Sequence, residues 1–132
     1  MSVFIDTSAF LAILDRHEQN HSQARDTWEA LVQGGDALIV TNYILLETFA
    51  LVQNRLGPAA SRILQQDIVP ILQVYWVDEA SHSAGVAALL IANRRQVSLV
   101  DCVSFDTMRR LGLKTAFTFD HHFAEQAFIC IP

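Results

Sequence analysis

The sequence predicts an α/β protein of three α/β/α layers with a parallel five-stranded sheet. Val3-Phe4-Ile5 and Leu38-Ile39-Val40 are short, continuously apolar runs, the pattern of strands buried on both faces. Such runs alternate with segments of helical period, which implies parallel strands joined by helical crossovers. Asp6, Thr41 and Asp78, all helix-capping residue types, stand where runs stop.

The elements follow in order. Val3 to Ile5 is the first strand, and Ala9 to Leu14 is a short helix. Asp15 to Gln23 contains no apolar residue and reads as an exposed turn. Ala24, Trp28, Leu31 and Val32 recur at helical spacing up to Gly34-Gly35. Leu38 to Val40 is the second strand. Thr41 caps a helix from Tyr43 to Arg55, closed by Gly57-Pro58, and another helix runs from Ala59 to Asp67. Ile71 to Val77, rich in β-branched and aromatic residues, is the third strand. Asp78 caps a helix whose Ala80, Ala84, Ala87 and Ile91 line one face. Ser98 opens a helix carrying Val100, Val103, Met108 and Leu111, ended by Gly112. Thr115 to Phe119 is the fourth strand and Phe128 to Ile131 the fifth. No repeat or linker interrupts residues 1–132, so one domain is expected. In sheets of this kind, ligands bind beyond the carboxyl ends of the strands.

With 132 residues, 52% of them apolar and 17% charged, the chain can bury a core and is neither disordered nor fibrous. Its longest apolar run, Ala84 to Ala92, is under half of the roughly 20 residues that a membrane-spanning helix needs. No basic region precedes an apolar stretch at the N-terminus, so no signal peptide is expected. Cys102 and Cys130 lie in apolar surroundings without CxxC spacing and read as buried free thiols of a cytoplasmic protein. The net charge of -5 argues against a non-specific nucleic-acid binder. The cations are nevertheless almost all arginines, and Arg94-Arg95 and Arg109-Arg110 group in the C-terminal half.

Asp6 directly follows the first strand, Asp120 ends the fourth, and Asp101 lies in the first turn of the helix opened by Ser98. Each can be a helix cap; Ser98-Leu99-Val100-Asp101 has the capping-box spacing. Glu47 has no such reading. It lies mid-helix, with Tyr43, Ile44, Ala50 and Leu51 as helical neighbours, and a carboxylate in an apolar stripe must be paired or bind a metal. The structural alternative is a salt bridge to Arg55 or another cation, or an exposed glutamate on a helix that is apolar nearly all round. Four carboxylates without an obvious cationic partner suggest a divalent-cation site, and hard oxygen ligands suit Mg²⁺ or Mn²⁺. Such ions can activate water and stabilise an in-line phosphoryl displacement. Helix N-termini beside Asp6 and Asp101 would help to position phosphate oxygens.

These motifs resemble those of PIN-domain ribonucleases, especially the VapC-like toxins of toxin–antitoxin pairs. Val3-Phe4-Ile5-Asp6-Thr7-Ser8-Ala9 is similar to the family's opening, and Glu47 to its helical glutamate. Ser98-Leu99-Val100-Asp101-Cys102 is similar to its third acidic motif, and Thr118-Phe119-Asp120-His121-His122-Phe123 to its fourth. His21 with Ala24 falls where many members have such a pair. The resemblance runs from Val3 to about Pro132. It implies a parallel five-stranded sheet between helices and cleavage of single-stranded regions of RNA with Mg²⁺ or Mn²⁺. It also implies metal-binding roles for Asp6, Glu47, Asp101 and Asp120, with Thr7, Ser8, Ser98 and Thr118 as nearby hydroxyls. A homodimer, and an antitoxin whose tail blocks the acidic pocket, are implied as well. Where many members have a glycine after the fourth motif, this chain has Ala124-Glu125-Gln126-Ala127-Phe128.

Other signals point elsewhere. His17-Glu18-Gln19-Asn20-His21 spells the H-E-x-x-H of zinc proteases, but on a polar turn rather than a packed helix. His121 and His122 read as a solvated pair, and Trp28 and Trp76 as core. Arg94 and Arg95 are candidates to hold RNA phosphates, the alternative being solvated helix ends. The expected function is therefore a metal-dependent endoribonuclease. Its rival is a non-catalytic domain of the same fold acting through a protein partner. A phosphatase is disfavoured, because Asp6-Thr7-Ser8 lacks the second aspartate of a phospho-aspartate motif.

Overall fold

The computed structural model describes residues 1–132 as one parallel sheet with strand order β3-β2-β1-β4-β5 and helices on its faces. β1 (Ser2–Ile5) leads through α1 (Thr7–Leu14) and α2 (His21–Gln33) to β2 (Ala37–Thr41), which pairs beside it. α3 (Asn42–Leu56) and α4 (Pro58–Ile63) carry the chain to the edge strand β3 (Gln73–Tyr75). The chain then crosses back. α5 (Glu79–Ala92) and α6 (Leu99–Leu111) precede β4 (Thr115–Phe117), which pairs with the other side of β1. The short α7 (His122–Glu125) precedes β5 (Ile129–Ile131), the second edge. Val3, Phe4 and Ile5 are all fully buried although their side chains alternate between faces, so both faces of the sheet are covered. Phe4, Phe10, Phe117 and Phe123 are the bulkiest fully buried side chains of the one core. The expected three-layer architecture is thus observed, and no helix is long and apolar enough to cross a membrane.

Strand order reverses about β1, with β2 on one side and β4 on the other. The crevice beyond the carboxyl ends of β1 and β4 is therefore the switch point at which ligands bind in such sheets. The Asp6 amide donates to the Phe117 carbonyl at 3.0 Å, carrying the ladder one step past β1. This brings Asp6 beside Thr118 and Asp120.

Several elements differ from the sequence expectation. α4 ends at Ile63, not Asp67; a π-helical stretch, Leu64–Ile68, and a 3-10 turn, Val69–Ile71, follow it. Pro70 has no amide to continue a helix, and the third strand shrinks to Gln73–Tyr75. Trp76 therefore falls past the edge strand and is 73% exposed rather than core. The fourth strand stops at Phe117. α5 buries Ser81 and Gly85, while Ala80, Ala87 and Ile91 of the expected face are exposed and Ala84 is half-buried. Close approach is the reason: a Cβ on Gly85 would lie 2.5 Å from Val103 Cγ2 of α6. Cys102 is buried, but Cys130 sits on the edge strand and is only half-buried.

The glycine-free stretch after the fourth motif is turned by Ala127, whose φ is 68°. That left-handed conformation costs a residue with a Cβ about 1–2 kcal/mol. Ala127→Gly should therefore raise the melting temperature by about 2–5 °C. A thermal melt showing an unchanged or lower midpoint would contradict this account of the turn.

Candidate acidic active site

The centre is built at the ends of β1 and β4. Asp6 is the N-cap of α1 and is 4% exposed. Its Oδ2 accepts from the Ser8 amide (3.3 Å), Ser8 Oγ (2.7 Å) and Thr118 Oγ1 (3.0 Å). The same two hydroxyls hold the other strand end: Ser8 Oγ accepts from the Phe119 amide and Thr118 Oγ1 from the Asp120 amide, both at 2.9 Å. Asp120 Oδ1 accepts from the His122 amide at 2.9 Å. At α6 the capping box is present: the Ser98 amide donates to Asp101 Oδ2 (3.0 Å) and the Asp101 amide to Ser98 Oγ (3.1 Å). Each aspartate thus commits one oxygen to the backbone and keeps the other free. Capping and ligand roles coexist on one side chain.

Burial, the largest influence, pushes the Asp6 carboxyl up to about 6; the Asp101 and Asp120 charges add to it against the Ser8 and Thr118 hydrogen bonds. Asp101 is also raised, by burial first and then by Asp120, against its Ser98 hydrogen bonds. The three aspartates therefore form one electrostatic cluster. No Lys or Arg neutralises it: Arg25, Arg55, Arg94 and Arg110 pair with Glu29, Glu18, Glu125 and Asp106.

Glu47 stands at the margin. It is half-buried rather than enclosed in an apolar stripe, because Ala50 is exposed and Leu46 is 72% exposed. Its expected partner Arg55 contacts Glu18 at 3.9 Å instead. Glu47 lines a hollow with Tyr43, Leu46, His82, Leu99 and Val100, so it faces the turn of α6 that carries Asp101. Its neighbour Thr48 donates to Thr7 Oγ1 at 3.4 Å, which ties α3 to the start of α1.

Arg94 is held by Glu125 at 2.8 Å, and Arg95 is exposed without an ion pair. The H-E-x-x-H match forms no zinc site: α2 begins only at His21, whose Nδ1 hydrogen-bonds the Ala12 carbonyl at 2.7 Å. His122 is buried, not solvated, with Nδ1 2.7 Å from Asp120 Oδ1; His121 is the exposed one. Sequence reasoning missed this, because a helix of four residues shows no period from which a buried side could be read. The donor set fits a hard divalent cation, because mutually repelling carboxylates with free oxygens and no Lys or Arg partner are what such an ion takes up.

Residues 3–129 match the PIN domain family. The chain belongs to that family. This PIN domain is 27% identical over 128 residues to the 23S rRNA-specific endonuclease VapC20 of Mycobacterium tuberculosis, covering 96% of the chain and 95% of VapC20. The crystal structure of VapC20, described as a sarcin–ricin-loop-cleaving toxin, superposes with a TM-score of 0.86 at 26% identity over 96% of each chain. FitAcB from Neisseria gonorrhoeae shares the fold (TM-score 0.71, 15% identity, 100% and 97% covered). So does VapBC2 from Rickettsia felis, bound to a DNA fragment from its promoter (TM-score 0.72, 11% identity, 98% and 97% covered).

The raised Asp6 carboxyl gives a pH prediction for the metal-free PIN domain. A carboxyl that binds its proton more tightly folded than unfolded contributes stability below the unfolded value of 3.8, and this is lost as pH rises through about 6. Asp6→Asn should then melt higher than wild type at pH 7 in chelator, by about 1–3 kcal/mol in stability, and this advantage should vanish near pH 4. Melts at several pH values check it. A gap that does not change with pH would show that Asp6 is not the strained group.

Proposed function

We propose that this PIN domain is a metal-dependent endoribonuclease, the toxin of a toxin–antitoxin pair, cleaving single-stranded regions of RNA. One observation carries the reading: a buried carboxyl, Asp6, crowded by Asp101 and Asp120 and neutralised by no cation. Its likeness to VapC20, whose name specifies 23S rRNA, makes ribosomal RNA the first substrate to try and the cytoplasm the expected location.

Asp6, Glu47, Asp101 and Asp120 would hold Mg²⁺ or Mn²⁺. Bound there, the ion supplies charge stabilisation at the phosphodiester. The protein's own part is orientation. Ser8 and Thr118 fix Asp6 by Oδ2, which leaves Oδ1 free to turn towards the crevice. Ser98 fixes Asp101 in the same way. Thr7, touched by Thr48, sets the distance between α1 and α3. Both helices that start at the centre, α1 and α6, direct backbone amides at an incoming phosphate. Arg95 can take a neighbouring phosphate directly, whereas Arg94 must first leave Glu125.

Asp101→Asn tests the reading. Asparagine keeps an oxygen for the Ser98 amide, so the fold should hold, but it loses the charge that binds a hard cation. Cleavage of single-stranded RNA in Mn²⁺ should fall by about a hundredfold or more, while the chelated protein melts no lower than wild type. A fully active variant would reduce Asp101 to a helix cap.

The reading includes a homodimer and an antitoxin. Leu46, Trp76, Leu90 and Ile91 are all exposed on or beside α3 and α5, more apolar surface than scattered residues explain. Light scattering of the isolated chain should give twice its 14.8 kDa. A mass of one chain at micromolar concentration would exclude the dimer.

A further inference from the structure

Asp120, His121 and His122 each offer a donor atom, and these atoms all lie within 4.8 Å of one another. His122 is 6% exposed; its Nδ1 pairs with Asp120 Oδ1 at 2.7 Å, and its buried Nε2 has no hydrogen-bond partner. A buried imidazole left in this state is costly and calls for an explanation. His121 faces the same carboxylate from the surface. Its Nδ1 is 4.0 Å from Asp120 Oδ1, while its Nε2 is 3.6 Å from Glu125 Oε1. Both imidazoles thus approach one carboxylate oxygen through Nδ1, which gathers two nitrogens and an oxygen.

We propose that Asp120, His121 and His122 form a second, nitrogen-containing metal site for a borderline cation such as Zn²⁺, and that filling it shuts the ribonuclease off by taking Asp120 from the hard-ion set. The shut-off rests on the function proposed above; the site does not. Imidazole nitrogens favour Zn²⁺, whereas carboxylates and water favour Mg²⁺ and Mn²⁺, so the two sites differ in the ion they select. Zinc ligands lie about 2.0–2.1 Å from the ion and hence about 3.3 Å from each other in a tetrahedron. The separations of 2.7 and 4.0 Å about Asp120 Oδ1 bracket that value. Rotation of the exposed His121 ring is the main adjustment needed. Asp120 belongs to both sets, so a cation held by its Oδ1 and the two imidazoles draws its charge away from the hard-ion set.

The test uses the full chain with Co²⁺ as a spectroscopic stand-in, then Zn²⁺ in competition, under millimolar Mg²⁺. Wild type should show a saturable visible Co²⁺ spectrum that Zn²⁺ displaces. His121→Ala, a surface change, should weaken Zn²⁺ at least tenfold and Mn²⁺ less than twofold. His17→Ala should leave Zn²⁺ affinity unchanged. In RNA cleavage, Zn²⁺ should inhibit wild type, and His121→Ala should need at least tenfold more. No saturable Co²⁺ spectrum, an unchanged Zn²⁺ affinity in His121→Ala, or a loss in His17→Ala would overturn the site. Zinc bound at the site without inhibition would overturn the shut-off. The spectrum needs no RNA, so a protein that cleaves nothing defeats the proposed function and leaves the site decided on its own.

Discussion

Everything at the centre depends on a carboxyl, Asp6, being kept out of water at the point where strand order reverses. A buried carboxylate without a counter-charge is unstable, and the fold offsets that cost only in part, through Ser8 and Thr118. Those hydroxyls also receive the Phe119 and Asp120 amides. The network that holds Asp6 is thus the network that joins the end of β1 to the end of β4. Site and fold share the same few atoms just beyond the ends of β1 and β4. Stored repulsion of this kind is a form of strain kept at a functional site.

Capping is what makes the crowding tolerable. Asp6 and Asp101 begin helices α1 and α6, where the positive ends of the helix dipoles lie. Asp120 accepts the His122 amide at the start of α7. Negative charge is collected where the backbone is least hostile to it, one oxygen satisfied by amides and one left over. This explains why cap and ligand readings were indistinguishable from residue spacing: the same geometry serves both.

Most of the architecture was legible because buried parallel strands leave continuous apolar runs, and β1 and β2 are two of the clearest. The helix starts at Thr41, Asp78 and Ser98 were legible for the same local reason: a capping side chain is a short-range interaction written in a few residues. The stretch from Leu64 to Ile71 was not, since π and 3-10 turns have no hydrophobic period of their own. Nor was the rotation of α5, which is decided by how closely Val103 can approach Gly85, a contact between elements rather than within one. The three aspartates announced themselves by following strands or opening helices. Glu47 did not show its surroundings, because helical neighbours say nothing of which face a helix exposes. His122 was misjudged for a related reason: four residues of α7 are too few to reveal a buried side.

α3 carries the last consequence. Its inner face delivers Ile44, Thr48 and Val52 to the buried interior, and its margin carries Glu47, which lines a hollow with Leu99 and Val100 of α6. Its outer face leaves Leu46 bare beside Tyr43 and Trp76. Leu46 and Glu47 are consecutive, about 100° apart around the helix, so whatever covers Leu46 also borders Glu47. A partner seated there changes the solvent exposure of one carboxylate in the set. If these carboxylates hold an ion as proposed, that change would alter its affinity. On the proposed function, assembly and metal loading would be coupled through one turn of one helix, and substitution at Leu46 would disturb both.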